Sequence, residues 1–351
     1  VKGILLFARV PMNVAHLKPI YEALVEEVPF WGTVKPPKLE VGSRKSKVRD
    51  PRINTRLLSH EFPDVKWVSP WLASWLPLDI YLSPDIMLVG RRCRWKVHIF
   101  HGISFKGRAY TSKVLAYDRL FIIGPYMEER FIEKGILKEG DPRIARVGMP
   151  KVDPLVDGTW TREQPRAHLG LEGDAPVVLY APTWGAGSSL EAMGNAVVQT
   201  VLNMGITLVV KLHDHTLRDP LWKARVGEWE TLGVVVYRHP DIVPAMAASD
   251  LLISDLSSVA NEYLLLDRPL IYLQAPDYRR RYVDTIDLKT WGFAAGPLVR
   301  DKEGLKMALQ EALDHPRAYS DVRREMAAHL FYNPGHATRK AVDVIRELLD
   351  G

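Results

Sequence analysis

An α/β architecture of two doubly wound, Rossmann-like domains is predicted by three observations. The first half of the chain alternates short apolar runs with helix-like segments, the second half restarts that alternation, and a stretch rich in Gly and Pro lies between them. Parallel strands need helical crossovers, so this alternation is the signature of a helix-covered parallel sheet. A length of 351 residues suits two domains of ordinary size.

Taken in order, ILLFARV is a first strand, and a helix follows around His16 to Glu27. The runs DIYLSPDIMLV, KVHIFHG and DRLFIIG are later strands, and MEERFIEKGI is the helix after them. VGMPKVDPLVDG breaks the pattern and places the linker at about 148 to 165. APVVLYAPTWG, a helix near Leu190 to Met204, ITLVVKLH, GVVVYRH, DLLISD and PLIYLQ build the second unit. From Glu303 onward the spacing is helical, ending in RKAVDVIRELLD. The expected division is therefore an N-terminal Rossmann-like domain over 1–157, joined by a terminal helix at about 330–351, and a C-terminal Rossmann-like domain over 158–329. Ligand chemistry is expected beyond the carboxyl ends of the strands.

The only cysteine is Cys93, which excludes an internal disulfide framework and a cysteine-based zinc site and favours the cytoplasm. The apolar run at the N-terminus is too short for a signal-peptide core, and no stretch has the length of a membrane span. Charge is uneven. The first 110 residues hold 18 Lys and Arg against 9 Asp and Glu, or +9, which leaves −4 for the rest. Arg44, Lys45, Lys47, Arg49, Arg52 and Arg56 form one basic cluster, and Arg91, Arg92, Arg94 and Lys96 another. Such a face suits anionic lipid or another polyanion, or is simply a solvated surface.

Four strand ends carry chemistry. Ser254, Asp255, Leu256, Ser257 and Ser258 form a polar turn between a strand and a helix, where hydroxyls and free N–H groups hold a phosphate. A serine there also serves as an N-cap, and the two roles are compatible. Glu262, one turn on, is placed to accept from ribose hydroxyls or to face solvent. Lys211 and His213 follow ITLVV, where a cation and an imidazole neutralise a diphosphate and assist a leaving group; His215 reads as surface. His101 and Gly102 follow KVHIF, with Lys106 beyond, so His101 is a candidate general base on an acceptor hydroxyl and Gly102 permits close backbone approach. The alternative for His101 is a histidine bonded within the sheet edge, the role assigned to His98. The loop after Thr183, starting Trp184-Gly185, can present amides to an anion. There is no Walker loop, no G-x-G-x-x-G and no D-x-D, so neither a metal nor a cofactor is expected.

In this order, His101-Gly102 with Lys106, the Tyr180-Ala181-Pro182-Thr183-Trp184 strand end, Lys211-x-His213 and Ser254-Asp255-Leu256-Ser257-Ser258 resemble the CDP-glycerol glycerophosphotransferase family. The Leu266-to-Ile271 run and Asn333-Pro334-Gly335-His336-Ala337-Thr338-Arg339 are similar to it too. The resemblance implies a GT-B fold with two domains facing a cleft. It also implies metal-independent transfer of glycerol phosphate from CDP-glycerol to a lipid-linked or polymer acceptor of teichoic-acid type, with CMP released. His101 would then be the base and His213 a contact to the donor diphosphate. Thr183, Lys211, Ser254, Asp255, Ser257, Ser258 and Arg339 (or Lys340 in place of Arg339) would lie at the donor, with Glu262 at its ribose. Gly102 and Lys106 would lie on the acceptor side. Two positions depart from the family pattern, Gly185 where Arg is common and Asp214 where Pro is common. They leave room for another CDP-alditol or a nucleotide sugar as donor.

KWVSPWLASWLPL, with Trp67, Trp71 and Trp75 at helical spacing between the basic clusters, offers either a membrane-interface anchor on the inner face of the cell membrane or a buried aromatic stripe. Pro70 and Pro77 oppose an unbroken helix. Two rival functions follow from the same residues. One is a glycosyltransferase or 2-epimerase acting on a UDP-sugar. The other is a non-catalytic polyanion binder, although no nucleic-acid motif is present.

Overall fold

The computed structural model describes residues 2–34, 51–103, 105–107, 109–185, 187–275 and 286–351, with the backbone alone over 51–55. Arg44, Lys45, Lys47, Arg49 and the side chain of Arg52 lie outside the described residues. By its contacts the chain divides into two compact units. Unit 1 comprises Val1–His101, Tyr110–Asp153 and Phe331–Gly351, and unit 2 comprises Gly102–Ala109 and Pro154–Leu330.

Unit 1 is built on a seven-stranded parallel sheet. Its strands are β1 (Ile4–Ala8), β2 (Phe30–Val34), β3 (Lys66–Val68), β4 (Ile80–Ser83), β5 (Trp95–His98), β6 (Arg119–Ile122) and β7 (Ile144–Arg146). They lie in the order β3-β2-β1-β4-β5-β6-β7. All five residues of β1 are buried, as expected of a central parallel strand covered on both faces. Asn13 closes the turn after β1 by accepting from the N–H groups of Arg9 and Val10, and it opens helix α1 (Asn13–Leu24). The C-terminal helix (Ala337–Asp350) presents Ala341, Val342, Ile345 and Leu348 along one stripe, which packs into the same core as Leu17, Ile20, Tyr21 and Leu24 of α1. The buried carboxylate of Asp153 accepts from Ala337 N and Thr338 N, satisfying two of the free N–H groups at that helix's start.

Unit 2 repeats the plan with β8 (Val177–Ala181), β9 (Thr207–Val210), β10 (Val235–Val236), β11 (Leu251–Ser254), β12 (Leu270–Leu273) and β13 (Leu298–Val299). The order is β10-β9-β8-β11-β12-β13, and every pair is parallel. Its helix Ser189–Asn203 buries Leu190, Met193, Val197, Val198 and Val201 against the sheet. Arg323, 1% exposed, pairs with Asp267 at 2.9 Å and donates to the Asp267 and Pro316 carbonyls, so its buried charge is fully compensated.

In each sheet the order reverses once, between β1 and β4 and between β8 and β11. A crevice opens at the carboxyl ends of strands that diverge in this way, and ligands of open α/β sheets settle there. The expected helical face carrying three tryptophans does not form. Trp67 lies on β3, Trp71 lies in a one-turn helix (Pro70–Ala73) capped by Ser69, and Trp75 lies beyond it. Pro70 starts that helix rather than interrupting one.

Candidate functional site

At the β8/β11 crevice of unit 2 the organising group is Asp255, 1% exposed. Its Oδ1 accepts from Thr183 N at 2.9 Å, and its Oδ2 accepts from Thr183 Oγ1 (2.8 Å), Ser189 Oγ (2.8 Å) and Ser189 N (3.3 Å). The carboxylate thus holds both ends of the 183–189 loop, whereas direct donor contact was expected of it. Ser254 differs from expectation in the same way. It is fully buried, and its hydroxyl donates to the Ala181 carbonyl at 2.6 Å, bolting β11 to β8. Thr183 is engaged by Asp255 through both its N–H and its hydroxyl. Ser257 caps the helix Ser258–Tyr263, accepting from Val259 N, and Ser257 and Ser258 are both half-buried. Of the polar turn, these two are therefore the residues with side chains open to a ligand.

The segment Gly102–Ala109 belongs to the same unit. The buried Asn261 donates to the Ile103 carbonyl at 3.0 Å, and Asp287 N donates to Phe105 O. Gly102 has φ +142°, and a Cβ there would lie 3.1 Å from Ser258 Cβ and 3.6 Å from a carboxylate oxygen of the buried Glu262. Only glycine takes that conformation comfortably and allows the approach. Gly102 and Lys106, expected on the acceptor side, thus fall in the unit that carries Ser258 and Glu262. Asn261 is a tie that sequence reasoning missed, because a polar residue inside a helix reads as solvated.

Beyond β9, His213 caps the short helix Asp214–Leu217, and its Nδ1 accepts from His215 N at 3.2 Å. An Nδ1 that accepts leaves the proton on Nε2, so neutral His213 presents a donor. His215, read as plain surface, stacks on His213 with centroids 5.1 Å apart and planes 3° from parallel. Trp184 covers both, at 5.4 and 4.8 Å. Lys211, half-buried, precedes them at the strand end. Gly185 has φ +95°, so an Arg at that position would require a different backbone path as well as adding a charge. Among the described residues no cluster of three or more His, Cys, Asp or Glu could hold a metal ion.

In unit 1, His101 follows β5 with its side chain 53% exposed. Its Nδ1 lies 2.9 Å from the Pro84 carbonyl, which can only accept, so Nδ1 carries the proton and Nε2 keeps the lone pair. That is the tautomer a general base needs. The residue before it, Phe100, is held at φ +48°, rare for a side chain of that size, with its ring on His98 (4.2 Å) and Phe131 (5.7 Å). His98 is buried and bonded to the Ser83 carbonyl, and burial pushes its imidazole down to about 3. His16 of α1, at the β1 end of the β1/β4 crevice, is the other buried histidine here, with its ring 6.5 Å from that of His101. Burial first, and the nearby Lys151 next, hold it well below the usual imidazole range, so it is neutral. Arg339 sits exposed on the first turn of the C-terminal helix, in unit 1. Except for His101 and Arg339, all the predicted site residues belong to unit 2.

The chain is 27% identical over 174 residues to a teichoic acid poly(glycerol phosphate) polymerase of Staphylococcus epidermidis, covering 47% of this chain and 24% of the relative. It is 24% identical over 252 residues to a teichoic acid glycerol-phosphate primase of Bacillus spizizenii, covering 68% of this chain and 61% of the relative. The chain thus spans about a quarter and about three fifths of these two relatives' lengths. Among solved structures it resembles the wall teichoic acid polymerase TagF, with TM-score 0.68 and 17% identity over 99% of this chain and 89% of that one. It also resembles MnaA of S. aureus, solved with UDP, with TM-score 0.63 and 14% identity over 100% of this chain and 97% of that one. Two parallel doubly wound sheets with these neighbours make the fold GT-B-like. The profile of the CDP-glycerol:poly(glycerophosphate) glycerophosphotransferases matches residues 105–347, more than half of the chain, and the chain belongs to that family.

Proposed function

We propose that the chain transfers glycerol phosphate from CDP-glycerol to a hydroxyl of a lipid-linked or polymer acceptor, releasing CMP. The observation that carries this reading is the β8/β11 crevice. There a buried carboxylate fixes the loop after β8, and the half-buried Ser257 and Ser258 open a helix start within the family-matched region. N–H groups and hydroxyls at such a start suit a diphosphate. His213 offers its Nε2–H and Lys211 a cation to the same anionic donor. The acceptor oxygen bonds to the distal phosphorus, the bond from that phosphorus to the CMP oxygen breaks, and the acceptor proton passes to His101 Nε2.

Thermal unfolding in the presence of CDP-glycerol, CDP-ribitol, UDP-N-acetylglucosamine and CMP tests the donor. A ligand that binds only the folded chain adds about 2.7 kcal/mol of stability at a hundredfold excess over its Kd. CDP-glycerol is expected to raise the midpoint most. A rise with the UDP-sugar and none with CDP-glycerol would assign the crevice to sugar chemistry.

The acceptor side is proposed to meet an anionic bilayer through unit 1. Among the described residues no helix is long and apolar enough to cross a membrane. Trp71 and Trp75, however, are 74% and 54% exposed, with Leu72 exposed between them. The Arg92 guanidinium lies 5.2 Å over the Trp75 ring, and Arg91 and Arg94 are exposed beside it in the chain. Interfacial tryptophans with adjacent cations match the headgroup region of anionic lipid. Vesicles of phosphatidylglycerol should sediment the chain and vesicles of phosphatidylcholine should not, with Trp71→Ala/Trp75→Ala reducing binding about tenfold. Equal sedimentation of that double variant and the parent would remove this surface from consideration.

A further inference from the structure

The exposed imidazole of His101 has a carboxylate beside it that no motif indicates. Asp85 follows β4 in the turn Ser83-Pro84-Asp85, at the β4 side of the β1/β4 crevice. Its Oδ1 is 3.7 Å from His101 Nδ1, and its side chain is 14% exposed. Its Oδ2 is buried and has no hydrogen-bond partner among the described residues. The backbone of Asp85 is tightly held. Its carbonyl accepts from Ser83 Oγ (2.6 Å), Tyr117 Oη (3.1 Å) and Met87 N (2.7 Å), and its N–H donates to Ser83 Oγ. A distance of 3.7 Å is too long for a hydrogen bond to neutral His101, whose Nδ1–H is already taken by the Pro84 carbonyl. It is, however, within range of an ion pair with the imidazolium.

The neighbouring groups sharpen the assignment. His16 and His98 are buried and neutral, and the buried Lys151 is a cation near His16. None of the three carries negative charge, and Lys151 disfavours further positive charge nearby. Asp85 is thus the group placed to offset the charge that His101 gains on taking a proton. Fixed opposite charge, aimed where charge develops in a partly dehydrated place, lowers the energy of that state without reorganisation.

We propose that Asp85 is a positioning residue for His101. Two groups beside Nδ1 favour the Nδ1–H tautomer, the Pro84 carbonyl by a hydrogen bond and the Asp85 carboxylate by its negative charge 3.7 Å away, and that charge also holds the ring in register and stabilises the imidazolium formed during transfer. The assignment rests on His101 acting as the base, so the test separates the two claims. Full-length Asp85→Asn and Asp85→Glu are compared with the parent in two measurements. The first is turnover of CDP-glycerol with a lipid-linked glycerol phosphate as acceptor. The second is the tautomer of His101 from nitrogen chemical shifts in histidine-labelled protein, assigned by the signal missing from His101→Asn. Asp85→Asn should lower kcat at least tenfold at unchanged KM for CDP-glycerol and turn the single His101 tautomer into a mixture. Asp85→Glu should recover part of both. Unchanged kcat together with an unchanged tautomer in Asp85→Asn overturns the proposal. A tautomer that becomes mixed while kcat holds would keep Asp85 as the orienting group and overturn the role of His101 as base.

Discussion

His101→Ala is expected to lower kcat for glycerophosphate transfer by about 10²- to 10⁴-fold, the range that a positioned general base contributes, while the affinity for CDP-glycerol stays within about twofold. The split follows from where the residues sit. His101 belongs to unit 1, whereas Thr183, Lys211, His213, Ser257, Ser258 and Glu262 all belong to unit 2. Removing the imidazole therefore leaves the proposed donor contacts intact. With the Nδ1 proton held by the Pro84 carbonyl, the lone pair on Nε2 is the part of the side chain that alanine cannot replace. His101→Asn keeps a polar group of similar reach and should be nearly as inactive, since an amide does not take up a proton near neutral pH. The measurement is single-turnover transfer with saturating CDP-glycerol, alongside donor binding by calorimetry. Wild-type turnover in His101→Ala would show that the proton leaves by another route. Weakened donor binding with normal chemistry would move His101 to the donor side.

Much of this layout was legible in the residues because parallel strands buried on both faces are written as unbroken apolar runs. ILLFA, VVLYA and LLIS are each buried throughout, and each appears in the chain as such a run. The edges and ends were less legible for the same reason. KWV, IAR and LV are two to three residues long, half-exposed in places, and carry no period that separates them from loop. The strand-end rule placed His101, His213 and Ser257 beyond strands without any distance, and they do follow β5, β9 and β11. It missed Asp85, since DIYLSPDIMLV reads as one apolar stretch while β4 in fact stops at Ser83 and the Ser-Pro-Asp turn begins the crevice. The Ser-Pro pair was the available signal. Asp255 was picked out for the donor, but its tie to Thr183 and Ser189 was not. What it does depends on Ser189, 66 positions away in the chain, and local spacing carries no information about that pair.

That long-range pair also sets the largest stability effect. Asp255→Ala is expected to cost about 3–5 kcal/mol, because it removes the acceptor of four hydrogen bonds and leaves buried donors without partners. At about 2–4 °C per kcal/mol for domains of this size, the thermal midpoint should fall by about 10 °C. Asp255→Asn discriminates more finely. Each carboxylate oxygen faces a backbone N–H, Oδ1 that of Thr183 and Oδ2 that of Ser189. An amide has one acceptor end and one donor end, so either orientation sets an NH₂ group against a backbone donor. The hydroxyls of Thr183 and Ser189 can rotate to relieve part of the mismatch, but the N–H groups cannot. The isosteric change should therefore lose roughly half as much stability as the alanine variant. It should also weaken CDP-glycerol binding, because the loop that Asp255 holds carries Thr183 and Trp184 beside His213. Asp255→Asn unfolding at the parent's midpoint would mean that the loop is held by something other than an acceptor-only group. An unchanged midpoint with lost donor binding would instead return Asp255 to the donor itself.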